Sequence, residues 1–189
     1  MGSLRYLTHS RPNILFSVGF LSRFKENLNT EHLKYAKRLL RYLRGTIDFG
    51  LTYKKGIFFC LEGYSDSDYA GDLMDGKSTS SVLFFLGGNV VTRSSQKQRI
   101  VALSSCEAEY VTLTQAACQR VWLSDMINEL IGDELKPVKI CVENKSAIEL
   151  AKNLAFHSRS KHIKVRYHYI RTCIEEGQVT LEYTSTTHQ

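Results

Sequence analysis

Two aspartates, Asp66 and Asp68, stand in the stretch Tyr64-Ser65-Asp66-Ser67-Asp68-Tyr69-Ala70-Gly71. The apolar run Ile57-Phe58-Phe59-Cys60-Leu61 precedes them, and Val82-Leu83-Phe84-Phe85-Leu86 follows. Side chains alternate across a strand, so two acids at a strand end with this spacing share one face of a sheet. Carboxylates on a rigid strand offer hard oxygen ligands of the kind that bind magnesium. Ser and Asp also favour turns, so Ser65 to Asp68 taken alone reads equally as a turn-rich loop. Glu109 lies in the first turn of a long helical pattern, on the side shared with Leu113 and Ala116. A carboxylate there is costly to bury without a metal or a cation beside it, although the helix dipole alone also favours an acid at a helix start. Glu143 ends the short apolar run Val138-Lys139-Ile140-Cys141-Val142 just ahead of a helix, where α/β folds place functional groups. Asp66, Glu109 and Glu143 form a physically sensible set to gather around two Mg²⁺ ions.

The surrounding pattern shows what would carry these acids. Residues 1–46 read as helical, broken at Arg11-Pro12-Asn13. Thr30 is a favourable cap for a helix with Leu33, Ala36, Leu40 and Leu43 on one stripe, stopped by Gly45. Its Lys34, Lys37, Arg38, Arg41 and Arg44 suit either phosphate contact or a solvated face. From Phe49 the pattern turns to strands, expected over 50–54, 57–66, 79–86, 90–93 and 100–103. Gly87-Gly88-Asn89 signals a hairpin, and the polar piece Ser94 to Arg99 reads as a turn or short surface segment. Ser104-Ser105-Cys106-Glu107 fits a capping box opening a helix of more than twenty residues that ends near Gly132. A strand at 138–142, a helix at 146–151, a basic loop His157-Ser158-Arg159-Ser160-Lys161-His162, a helix at 163–176 stopped by Gly177 and a strand at 178–183 complete the order. A meander followed by strand–helix alternation predicts an α/β fold, a mixed sheet with helices packed on it.

The 189 residues suit one domain of ordinary size with an appendage, and 43% apolar content excludes a disordered chain. No apolar run is long enough to span a bilayer, and the N-terminus has no apolar segment of signal-peptide type. Those features predict an intracellular protein of cytoplasm or nucleus, without a membrane partner. A net charge of +6 favours a polyanionic partner. The five cysteines form no CxxC pair and no zinc spacing with histidine, so they are expected as free, mainly buried thiols.

Five segments taken in order carry a family resemblance. Tyr64 through Gly71, Lys77-Ser78-Thr79-Ser80, Ala102-Leu103-Ser104-Ser105-Cys106-Glu107-Ala108-Glu109-Tyr110, Glu143-Asn144-Lys145-Ser146-Ala147 and His157 through Arg171 resemble the ribonuclease H domain of copia-type LTR retrotransposon Pol polyproteins. Gly2-Ser3-Leu4-Arg5-Tyr6-Leu7 and Arg41-Tyr42-Leu43-Arg44-Gly45 resemble the connection between reverse transcriptase and that domain. The resemblance implies a helical connection segment over 1–46 and a ribonuclease H-like domain over 47–189, a mixed β-sheet flanked by helices. The chain lacks the polymerase, integrase and protease regions, so it is expected to be a polyprotein fragment or a captured piece.

The family implies hydrolysis of the RNA strand of an RNA/DNA hybrid with two divalent ions, Mg²⁺ or Mn²⁺, held by carboxylates. By motif position Asp66 is the first carboxylate and Glu109 the second, with Asp68 in an outer or structural role and Glu107 a cap. The third position, usually Asp, is Glu143, and the fourth, commonly Asp, is Lys164. Gly76, Ser81 and Arg93 replace the usual Arg, Gly and Trp. These departures imply weakened or lost catalysis. Hybrid binding does not require the metals, and its candidate residues are Lys97, Arg99, His157, Arg159, Lys161, His162, Lys164 and Arg166. Besides the hybrid, the implied partner is the reverse-transcriptase region of the parent polyprotein. The alternatives are a catalytically inactive nucleic-acid-binding or protein-interaction domain, and a secreted effector, because Arg41-Tyr42-Leu43-Arg44 spells the RxLR pattern of oomycete effectors.

Overall fold

The computed structural model of the protein describes residues 1–55, 60–132, 137–152 and 164–185, with side chains from residue 169 onward in the last stretch. It divides into two compact units, Met1–Lys55 and Gly56–Gln189. The expected boundary after residue 46 falls inside the first unit, just past its last helix.

The first unit holds α1 (Gly2–Leu7), a 3₁₀ turn at Pro12–Ile14, α2 (Leu15–Arg23) and α3 (Thr30–Gly45). Pro12 opens the turn, where its missing N–H leaves no bond unmade. Asn29, and not Thr30, caps α3. Its Oδ1 accepts from the His32 N–H at 2.9 Å, while the Asn29 N–H donates to His32 Nδ1 at 3.3 Å. The imidazole thus does the reciprocal work usually done by Glu or Gln. The apolar stripe is rotated from the one expected. Leu39, with Ala36 and Leu43, packs on Ile14, Val18 and Leu21, whereas Leu33 and Leu40 are exposed. Leu43, inside the RxLR-like run, is therefore a packing residue of α3. Buried Arg11 closes the unit, donating to Thr46 Oγ1 and the Ile47 carbonyl at 3.1 Å each, and to the Thr46 carbonyl. Residues 50–54, expected as a strand, form none. An extended segment becomes a strand only when a neighbour takes its backbone hydrogen bonds, which local alternation does not report.

The second unit is built on five strands: β1 (Leu61–Asp68), β2 (Thr79–Leu86), β3 (Asn89–Lys97), β4 (Val138–Val142) and β5 (Val179–Tyr183). Their order across the sheet is β3-β2-β1-β4-β5. The pairs β1–β2 and β2–β3 are antiparallel, and β1–β4 and β4–β5 are parallel. β3 runs through Ser94 to Lys97, which pair with Val82 to Thr79, so the expected surface turn there is strand. An edge strand with a wet face tolerates a polar run. Residues 100–103, expected as a strand, instead lead into a helix cap.

Among the described residues of this unit the helices are α4 (Ser105–Ile131), α5 (Lys145–Lys152) and α6 (Lys164–Glu175). The Ser104 Oγ accepts from the Glu107 N–H at 3.2 Å, and Glu107 Oε2 reaches back to the Leu103 N–H at 2.9 Å. Tyr110, Leu113, Ala116 and Ala117 of α4 pack with Leu61, Phe84, Ile140 and Val142 of the sheet. Gly63 is needed at this contact, since a Cβ there would lie 2.7 Å from Phe84 Cε1. The cysteines are free thiols, but only Cys141 and Cys173 are buried, while Cys60 and Cys118 are exposed. Among the described residues, no helix is long and apolar enough to cross a membrane.

Candidate carboxylate site

The topology brings distant acids to one end of the sheet. Ser65 pairs with Val142 in the parallel β1–β4 register. Asp66 follows Ser65 on β1 and Glu143 follows the last residue of β4, so both lie at the same end of the sheet although they are 77 positions and a long helix apart in sequence. Ser65 is fully buried on the core face, and Asp66, on the alternate face, is exposed. Glu109 comes from the first turns of α4 and is only 6% exposed.

The Ser67 N–H donates to Glu109 Oε1 at 3.3 Å, which ties the helix to the end of β1. Glu109 Oε2 is buried and meets no hydrogen-bond partner among the described residues. Burial, the Asp66 carboxylate and, more weakly, Glu143 push the Glu109 pKa up to about 8, against the opposing pull of the Ser67 N–H. Asp66 and, more weakly, Glu143 thus act on Glu109 through their charge. A buried, half-bonded carboxylate among like charges is the environment that a hard divalent cation relieves. Asp66, Glu109 and Glu143 therefore fit such an ion by donor chemistry. As placed, however, no three acidic, histidine or cysteine side chains among the described residues are gathered closely enough to hold one metal ion.

Asp68 shares the register face of Asp66 but has a structural task, accepting a hydrogen bond from the Thr79 N–H at the mouth of the β1–β2 connection. Glu107 is the cap expected of it. Beneath the site lies a polar network that sequence reasoning missed. Gln98 is 2% exposed, and its amide donates to the Ala108 carbonyl at 2.9 Å, Ser80 Oγ at 3.1 Å and Thr112 Oγ1 at 3.4 Å. Thr112 in turn donates to Ser80 Oγ at 2.8 Å. These contacts fix the start of α4 on β2, one turn from Glu109. The only prior signal was Ser80 in the Lys77-Ser78-Thr79-Ser80 motif; nothing in the run Gln-Lys-Gln-Arg marked Gln98 as buried.

The expected nucleic-acid residues divide. Lys97 is engaged by Asp72 and by Asp75 at 2.8 Å. Arg99 is exposed and, with Lys97, Gln96, Gln115 and Tyr169, lines a cleft of about 660 Å³ between β3 and α4. His157, Arg159, Lys161 and His162 lie outside the described residues, and Lys164 and Arg166 are described in their α6 backbone alone.

No protein-family model matches the chain. It is 40% identical over 189 residues to the retrovirus-related Pol polyprotein from transposon RE1 of Arabidopsis thaliana, covering all of this chain and 13% of that protein. It is 43% identical over 125 residues to secreted RxLR effector protein 161 of Plasmopara viticola, covering 66% of this chain and 88% of the relative. Among solved structures, LC11-RNase H1, isolated from compost by a metagenomic approach, superposes with a TM-score of 0.52 at 15% identity over 69% of this chain and 87% of that one. At that identity the likeness is one of fold.

Proposed function

The chain belongs to the copia-type retrovirus-related Pol polyprotein family and has the ribonuclease H fold, and on that premise we propose that it hydrolyses the RNA strand of RNA/DNA hybrids at a rate lowered by Glu143 and Lys164. It spans about an eighth of the polyproteins it matches, 13% in the RE1 case, so the activity is a proposal for this segment alone. The observation that carries the reading is Glu109, a buried carboxylate with one oxygen unpartnered among the described residues and under the charge of Asp66 and Glu143.

Asp66, Glu109 and Glu143 would hold Mg²⁺ or Mn²⁺, two ions supplying an activated water and charge stabilisation at the leaving oxygen. Glu109 must first give up its proton, because a protonated acid is a poor ligand. The Ser67 N–H keeps that carboxylate aimed during the exchange. Asp66, exposed on the strand end, would be open to an incoming strand. Glu143 is one methylene longer than Asp, which displaces its oxygens by about a bond length, and magnesium tolerates poor geometry badly. A cation at Lys164, where the family commonly has Asp, adds repulsion toward the ions. Arg99, with His157, Arg159, Lys161, His162 and Arg166, would contact phosphates and the 2′-hydroxyl edge. The first unit is read as the connection to the reverse-transcriptase region, and the whole as acting inside the cell where the hybrid forms.

Hybrid cleavage in Mg²⁺ and in Mn²⁺ tests this. Wild-type protein should exceed an Asp66→Ala control, and Glu143→Asp with Lys164→Asp should cleave faster than wild type. No cleavage beyond the control in either metal, with none restored by the double variant, would sink the enzymatic reading. Restoration from zero would instead support a domain that binds hybrid without cutting it. An effector role, raised by the Plasmopara relative, requires the protein in a secreted fraction.

A further inference from the structure

Hydrolysis by the three carboxylates leaves one cluster of nucleophilic groups without a task. Cys118, on α4, is exposed, and with Tyr169 it lines the cleft between β3 and α4. Cys173 lies on α6, one turn beyond Tyr169 and on the same face of that helix. It is 3% exposed and belongs to the core, and α6 packs on α4. The Tyr169 hydroxyl is hydrogen-bonded to both thiols. A phenol has one proton to give, so it donates to one sulfur and accepts the S–H of the other. Tyr169 therefore bridges an exposed thiol and a buried one, carried by two helices in contact.

A buried cation stands beside the inner thiol. Arg120 of α4 is 7% exposed; its Nη1 donates to Gln178 Oε1 at 3.1 Å, and its Nε meets no hydrogen-bond partner among the described residues. Cys173 is foremost among the charges that act on this guanidinium, ahead of Asp125 and Tyr169. Gln178 is itself tied to Cys173, its N–H donating to the Cys173 carbonyl at 2.9 Å. Burial pushes the Cys173 thiol up, against the opposing pull of the Tyr169 hydroxyl and the Arg120 guanidinium. The group is thus a thiol until its proton is drawn off toward Tyr169. A guanidinium whose partner is a neutral amide then stabilises the anion formed beside it.

We propose that Cys118 and Cys173 are a peroxide-responsive dithiol, in which Cys118 meets the oxidant in the cleft and Cys173 closes a disulfide that ties α6 to α4. The thiolate is the attacking form. Cys118 gives up its proton, and its sulfur attacks one peroxide oxygen. The O–O bond breaks, and the departing hydroxide takes up a proton and leaves as water. Cys118 is then a sulfenic acid. Cys173 attacks the Cys118 sulfur, its proton passing through the Tyr169 hydroxyl. The S–S bond forms, the S–O bond breaks, and the second hydroxide leaves as water with that proton. Two thiols are oxidised, and one peroxide is reduced to two waters. Disulfides in a reducing compartment are ordinarily of this transient, oxidant-sensing kind. The chemistry uses no metal and is independent of hybrid cleavage.

The full chain, reduced and freed of metal, is treated with equimolar hydrogen peroxide, and its peptides are mapped by mass spectrometry without reduction. The expected product is a single chain, two hydrogens lighter, joined between Cys118 and Cys173, and dithiothreitol reverses it. Cys173→Ala should leave Cys118 as a sulfenic acid that dimedone captures. Tyr169→Phe should close the bond at least about tenfold more slowly than wild type. Trp122 fluorescence during unfolding verifies that each variant is folded, and the wild-type map requires no variant. The proposal is overturned if Cys118 stays reduced, if it is oxidised while Cys173 remains a free thiol, or if the disulfide is drawn mainly from the exposed Cys60. Closure at the wild-type rate in Tyr169→Phe overturns the proton relay.

Discussion

Replacing Glu109 by Gln should stabilise the second unit by an amount that grows as pH rises from about 4.5 to about 8. Glu109 is 6% exposed, and its pKa rises from 4.5 to about 8 through burial and the Asp66 and Glu143 carboxylates. At about 1.4 kcal/mol per unit, that rise corresponds to a ceiling of about 5 kcal/mol, and local relaxation brings the expected effect to roughly 2–5 kcal/mol. The sign follows from proton uptake. Between pH 4.5 and about 8 the folded protein holds a proton on Glu109 that the unfolded chain has released. The contribution of this group is therefore fully present below about pH 4.5 and is lost as pH rises through about 8. Gln keeps an oxygen for the Ser67 N–H and carries no charge at any pH. The variant should match wild type near pH 4.5 and exceed it at pH 9 by roughly 5–15 °C in Tm. Trp122, the single tryptophan, lies on α4 and reports this unit's unfolding. Scans in EDTA at half-unit pH steps provide the measurement. An offset that is the same at pH 4.5 and pH 9, or a variant less stable at pH 9, would refute the account of Glu109 as a buried acid destabilised by its neighbours.

Gln98→Ala removes the amide that joins Ser80, Ala108 and Thr112, and should cost about 2–4 kcal/mol in urea unfolding read at Trp122. Gly63→Ala drives a Cβ into the fully buried Phe84 ring; because that ring has no room to give, the same assay should show a loss of about 1–3 kcal/mol. Arg11→Met removes the links to Thr46 and Ile47, so the first unit should lose about 2–3 kcal/mol. Far-UV circular dichroism would show an earlier loss of helix while the Trp122 transition stays in place.

Where local signals and tertiary packing agree, the chain was legible. β4 occupies Val138–Val142 as its apolar run predicts, because a short central parallel strand is buried on both faces. Ser104 caps α4 as the Ser-to-Glu spacing predicts, since a cap is decided within four residues. Elsewhere the deciding partner is remote. Ser94 to Lys97 look like a turn in isolation and become strand because β2 lies alongside. The α3 stripe could be drawn through Leu40 or Leu39, and only Ile14, Val18 and Leu21 choose Leu39. The same distinction runs through the site. The strand-end position of Asp66 and the helix-start position of Glu109 were readable from the sequence, whereas the engagement of Lys97 by Asp72 and Asp75 depends on a loop conformation that charge alone does not specify.

The arrangement of the three acids links stability to binding. No short segment of the chain could bring Asp66, Glu109 and Glu143 to one end of the sheet; the parallel β1–β4 register and the crossing of α4 do so. Packing then removes water from Glu109 while the strand ends bring two further carboxylates toward it. The same interactions that raise its pKa make its ionised form a stronger attractor of a cation than an exposed glutamate would be. Proton and cation compete for one carboxylate, so cation binding should release close to one proton near pH 7 and almost none above pH 9. Calorimetric titration of Mn²⁺ in buffers of different ionisation enthalpy counts that proton directly. A proton release that does not vary with pH would mean that the cation does not bind through Glu109, and that the burial of this residue serves the fold alone.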